Sequence, residues 1–114
     1  MIDEPRKTEL LTAGLKESLP IQANVTPNLA RELAKQTPDI SIPSRCNIID
    51  VFYSGESGGI VCCLDIGGHD AESMHVVSLT HLTFTRNAPF FREIEAYQRH
   101  RIKKLKQQQG RGYH

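Results

Sequence analysis

A chain of 114 residues, 39% hydrophobic and 24% charged, is long enough for one packed core, too short for two, and too apolar to be disordered throughout. No apolar run approaches the roughly 18 residues of a membrane span, and the opening MIDEPRKTEL has acids and no apolar stretch, so no secretory leader is expected. The net charge of +1 hides a segregation: residues 1–50 sum to −1, residues 51–98 to −4 and residues 99–114 to +6. A near-neutral body with one cationic end points to an anionic partner.

Along the chain, Asp3, Glu4 and Pro5 open a helix with Leu11, Leu15 and Leu19 on one side, and Pro20 closes it. Gly14 weakens this helix. Thr26 caps a second helix, Pro27 suits its first position, and Leu29, Ala30, Leu33 and Ala34 form its apolar stripe. These two short helices make an N-terminal helical part, residues 3–36. Residues 37–45, with Pro38 and Pro43 and no periodicity, read as an extended connector.

Residues 46–84 change to a β pattern. CNIIDVFYS, GGIVCCLDIG and MHVVSLTHLTF are rich in β-branched and aromatic residues, with glycine-bearing turns between the first two and after the second. Short loops make neighbours antiparallel, which predicts a three-stranded meander. With Tyr53 opposite Ile60 and Ile66 opposite His75, the core face carries Asn47, Ile49, Val51, Tyr53, Ile60, Cys62, Leu64, Ile66, His75, Val77, Leu79 and His81. The other face is mixed and is expected to lie partly covered by the N-terminal helices, which are assigned to it or to a sheet edge.

A long helix follows over 88–108, with Asn87 as cap, Pro89 in its first turn and a basic tail at 109–114. Phe90, Phe91, Ile94, Tyr97, Ile102 and Leu105 fall within an arc of about 140°, which should press on the sheet. The expected fold is therefore a single α+β domain over 1–114: a three-stranded antiparallel β-meander, a long C-terminal helix packed on one face, and two short N-terminal helices.

The run GESGG at 55–59 resembles the Gly-Asp-Ser-Gly-Gly stretch of chymotrypsin-like proteases over about ten residues, with Glu56 in place of the aspartate. That family places a histidine and an aspartate before the serine on two β-barrels. Here no histidine precedes His69, and one small domain holds no second barrel, so Ser57 reads as a turn residue among glycines. Asp65, His69, Asp70, Glu72 and His75 gather oxygen and imidazole donors, but without a ligand spacing they read as an exposed loop, and no metal or cofactor is implied. Cys46, Cys62 and Cys63 read as reduced thiols of a cytoplasmic protein, and Cys62 and Cys63, on opposite faces of one strand, make a poor disulfide.

The cations of the last helix carry the functional reading. Arg92, Arg99, Lys103 and Lys106 fall within about 60° of arc opposite the apolar stripe, and Arg101 and Lys104 add charge beside them. The six are the candidate anion-binding residues of a non-enzymatic module whose partner is a nucleic-acid backbone or an acidic protein surface. Glu95, one turn before Arg99, and the helix dipole offer the competing view of a merely solvated face. Two alternatives stand beside this reading. One is a homo-oligomeric assembly subunit, a homodimer in the simplest case, built on IVCCLDI, which is apolar on both faces. The other follows from the order helix, helix, meander, helix, which resembles RelE-type toxins in topology alone; that resemblance implies a small ribonuclease with His75, His81 and Arg99 or Arg101 as acid–base and phosphate-clamping groups.

Overall fold

The computed structural model describes residues 3–36, 41–66 and 74–111. Helix α1 (Pro5–Glu17) starts where the Glu4 carboxylate accepts hydrogen bonds from the Lys7 and Arg6 amides, with Pro5 at the first position where no N–H is needed. It buries Thr8, Leu11 and Leu15. Strand β1 (Ile21–Val25) follows, and helix α2 (Pro27–Gln36) begins as Thr26 accepts from the Leu29 amide and buries Leu29 and Leu33. Strand β2 (Arg45–Tyr53) leads through the single helical turn α3 (Gly55–Gly58) into β3 (Ile60–Asp65). Strand β4 (Met74–Ser78), a 3-10 turn (Leu79–His81), strand β5 (Leu82–Thr83) and helix α4 (Phe91–Arg111) complete the chain.

The α+β class and the long C-terminal helix agree with the sequence reading; the three-stranded meander does not. The sheet has five antiparallel strands in the order β4-β3-β2-β1-β5. Two strands lay outside the expected set. IQANV sits between a helix-ending Pro20 and a helix-capping Thr26, and its alternation covers only five residues. LTHLTF reads as a continuation of β4, but the 3-10 turn interrupts it and delivers β5 to the opposite edge. That connection forces curvature. In a flat sheet four strand spacings of about 4.8 Å would hold the edges about 19 Å apart, while the chain from Ser78 to Leu82 reaches at most about 14 Å. The sheet must curl.

Inside the curl lies one buried cluster. It unites Ile21, Ala23, Cys46, Ile48, Val51, Ile60, Cys62 and Leu64 of the sheet with Leu11 and Leu15 of α1, Leu29 and Leu33 of α2, and Ile94 and Tyr97 of α4. The N-terminal helices therefore join the same core as α4 instead of covering the second face, where Ile49, Phe52 and Val76 stay exposed. Tyr53 does pair with Ile60, whereas His75 pairs with Leu64 and not Ile66, a shift of two residues that preserves the faces. A bulge between Ile48 and Asp50 exchanges the faces of early β2, so Cys46 and Ile48 are buried where Asn47 and Ile49 were expected. The 3-10 turn likewise carries His81 out to solvent.

Candidate anion-docking face

Helix α4 has two faces with opposite chemistry. Ile94, Tyr97 and Arg101 point into the molecule, Gln98 and Leu105 are half-buried beside them, and the Gln98 amide donates to the carbonyls of Leu79 and Leu82, which pins the helix to the 3-10 turn. The apolar arc inferred from sequence is too wide. Ile102 at its margin is 40% exposed, while Arg101, near its centre, is 2% exposed.

Arg101 is thus not part of an exposed anion-binding surface. Its Nη1 donates to Asp3 Oδ2 at 2.9 Å, and its Nη2 donates to the carbonyls of Glu56 and Ser57 at 2.8 and 2.9 Å. Asp3 is 3% exposed, so the pair is fully desolvated and held by directed hydrogen bonds. The Tyr97 hydroxyl accepts from the Ile60 amide at 2.8 Å and faces Asp3 Oδ2 at 3.5 Å; burial pushes this phenol up to about 12 despite the Ile60 hydrogen bond. Desolvation, helped by the Asp3 and Glu56 carboxylates, also raises the Tyr53 phenol. Gly59, at φ 66°, makes room for this knot: a Cβ there would collide with the Tyr97 hydroxyl and stand 2.7 Å from the Arg101 guanidinium carbon. The GESGG run is therefore a turn clamped by Arg101, and Ser57 contributes its carbonyl to the clamp.

On the opposite side Arg92, Arg99, Lys103 and Lys106 are all exposed, as is Lys104 at a different angle. Among the described residues none of these five enters an ion pair; the pairs present are Lys16–Asp50, Lys35–Glu32 and Arg101–Asp3. Glu95 stands one turn from Arg99 without bridging to it. At 1.5 Å per residue the ridge from Arg92 to Lys106 runs about 21 Å. Beyond Arg101 only Leu105 is half-buried through Gln108, so the cationic end of the helix stands clear of the body.

A groove of about 780 Å³ lies between α1 and α4. Leu10, Leu11, Phe90 and Ala96 line it with Lys7, Arg92 and His100, and Glu4 and Glu93 also reach it. Phe90 takes φ 60°, unusual for a side chain without special freedom, and its ring lies so close to Gly14 that a Cβ there would be 2.6 Å from the ring. Gly14, which weakens α1 by propensity, is what admits that ring.

Among the described residues, the others with catalytic or ligating chemistry do not assemble into a site. Burial pushes the Cys62 thiol up to about 12, and desolvation raises Cys46 and Cys63 as well, the reverse of what a reactive thiolate needs. His75 is half-buried on β4 with its Nε2 unpartnered among the described residues, His81 is exposed beside α2, and Arg101 has no free donors facing solvent to clamp a phosphate. His69, Asp70 and Glu72 lie outside the described residues, among which no group of His, Cys, Asp and Glu could hold a metal ion. No helix among the described residues is long and apolar enough to cross a membrane. Comparison with known proteins supplies no relative: no family model, curated protein or solved structure matches the chain.

Proposed function

We propose that the protein is a non-enzymatic binding module whose α4 ridge docks on an anionic partner. The supporting observation is the array of Arg92, Arg99, Lys103 and Lys106 on one solvent face, unpaired and carried by a helix that Arg101 and Gln98 anchor from behind. The helix backbone is already ordered, so docking costs mainly the rotamer freedom of four long side chains, and counterion release from the partner offsets it. The test is the salt dependence of binding to a labelled duplex or to heparin. Four contacted charges give a log–log slope of about −3 to −4, and Arg99→Glu with Lys103→Glu should flatten it. A flat response in the parent protein removes this reading.

Self-association is a second reading, favoured by Ile49, Phe52 and Val76, which stay exposed on the second sheet face. A two-fold pairing of this face with its own copy would bury Phe52 and Val76 together. Sedimentation equilibrium decides it: a dimer that Phe52→Lys converts to monomer supports the pairing, and a monomer at high micromolar concentration ends it.

A further inference from the structure

The partner's chemistry can be narrowed by what adjoins the ridge. Arg92 belongs both to the ridge and to the wall of the α1–α4 groove. Around α4, Ala96 in the groove lies about 20° from Lys103 and about 40° from Arg92, so the groove and the ridge form one continuous surface. Its floor is apolar. Leu10, 63% exposed, and Phe90, 40% exposed, are among the large apolar side chains the fold leaves open, and both line this groove. Phe90 is wedged against Gly14 in a left-handed backbone conformation, so the wall it makes is preformed and not a collapsed side chain awaiting a ligand.

We propose that this surface seats one helix of a partner protein, amphipathic and acidic along one flank. Two helices flanking an apolar floor offer ridges and grooves into which a third helix packs, with anchors spaced i, i+3 or i+4, and i+7. α1 spans about 20 Å, which matches a partner helix of about 14 residues. Apolar anchors on Leu10, Leu11 and Ala96 place one flank of that helix over Arg92, Arg99 and Lys103, where carboxylates meet guanidinium and ammonium groups. A phosphate backbone would satisfy the ridge equally well but gains nothing from the leucines of the floor, and among the described groove residues Phe90 carries the one exposed phenyl ring, too little for a stacking platform. The charge half of this inference rests on the ridge reading above; the groove half does not.

The experiment is fluorescence anisotropy with three labelled probes: an amphipathic peptide of about 14 residues bearing Leu on one face and Glu on the flank, the same residues scrambled, and a single-stranded RNA. The patterned peptide should bind at least about tenfold tighter than the scramble, a difference of about 1.4 kcal/mol. Leu10→Glu and Ala96→Glu, both at exposed positions, should each remove that advantage, with circular dichroism showing the fold retained. Arg99→Glu with Lys103→Glu should weaken the peptide and abolish its salt dependence. Equal binding of peptide and scramble, or indifference to Leu10→Glu, overturns the groove while leaving the ridge reading intact. Tighter RNA binding that ignores Leu10→Glu does the same and assigns the ridge to nucleic acid. Loss with Leu10→Glu but not with the charge reversals keeps the groove and overturns the acidic flank. Absence of peptide binding overturns the proposal outright.

Discussion

Arg99 and Arg101 stand two residues apart on one helix, about 160° from each other around its axis, and meet opposite fates. Arg101 finds Asp3 and two turn carbonyls and disappears from the surface, while Arg99 finds no carboxylate and stays in water. The comparison teaches that a cation's worth is set by what faces it. The buried one organises the fold and is unavailable for binding; the exposed one adds little to stability and is free to bind. The strongest way to break the comparison is Arg101→Ala. It leaves Asp3 buried without its counter-charge and two carbonyls without a donor, and should cost about 3–5 kcal/mol in urea unfolding. Arg99→Ala should cost within about 0.5 kcal/mol. Replacing both partners with apolar residues, Asp3→Leu with Arg101→Met, should recover part of the loss, since no lone charge is then buried. A loss below about 1 kcal/mol for Arg101→Ala would show that the knot is ornamental.

Alkali tests the same interior. In the unfolded chain cysteine and tyrosine ionise near about 8.5 and about 10, whereas folded Cys62 and Tyr97 hold their protons to about 12. Between those limits the unfolded state binds fewer protons, so stability is intact below about pH 8.5 and falls as the pH rises toward 12. The expected loss by pH 11 is about 2–4 kcal/mol, read from urea midpoints at pH 7, 9 and 11. An unchanged midpoint would mean that these groups are solvated.

Gly59→Ala sharpens the comparison from the turn side. The substitution strains a backbone at φ 66° and drives a methyl group against the Tyr97 hydroxyl and the Arg101 guanidinium. About 2–3 kcal/mol should be lost. Gly55, whose φ of 85° is just as unusual but which has open space around it, should lose less when changed to alanine because it carries the strain without the collision. Equal losses at the two glycines would mean that Arg101 and Tyr97 can give way.

Parts of this arrangement were legible from residues alone and others were not, for physical reasons. The Thr26–Pro27 cap, Leu11 and Leu15 on α1, and the glycine turn before β3 follow from local rules, although α1 ends at Glu17, short of Leu19. The fifth strand and the bulge are non-local: β5 exists because β1 lies open beside it, and one extra residue in β2 moves Ile48 inward without altering any composition. Arg101 had a signal that was overlooked. On a helical wheel it falls between Tyr97 and Ile94, within the apolar arc, and a cation there requires a buried acid. Asp3 supplies it from a part of the sequence that reads as a helix start. The ridge was legible in position because exposed charges that pair with none of the described residues stay where the helical period puts them.

The smallest predicted effect separates structure from function most cleanly. Arg99 and Lys103 are four residues apart and Lys103 and Lys106 three, so the ridge holds two like-charge pairs, each unfavourable to the helix by about 0.2–0.5 kcal/mol. Lys103→Glu turns both into attractions, and no residue of the body needs the lysine. Relief of the two repulsions alone should therefore raise stability by about 0.4–1 kcal/mol, a shift best read as a difference in urea midpoint at low ionic strength, where screening is least. Binding to the anionic partner should weaken in the same variant, because the central charge of the row is reversed. A cation retained for folding must show the opposite pattern, with destabilisation on reversal and unchanged binding. Gain of stability with loss of binding is the signature of a surface in which local repulsion is tolerated because a partner neutralises it.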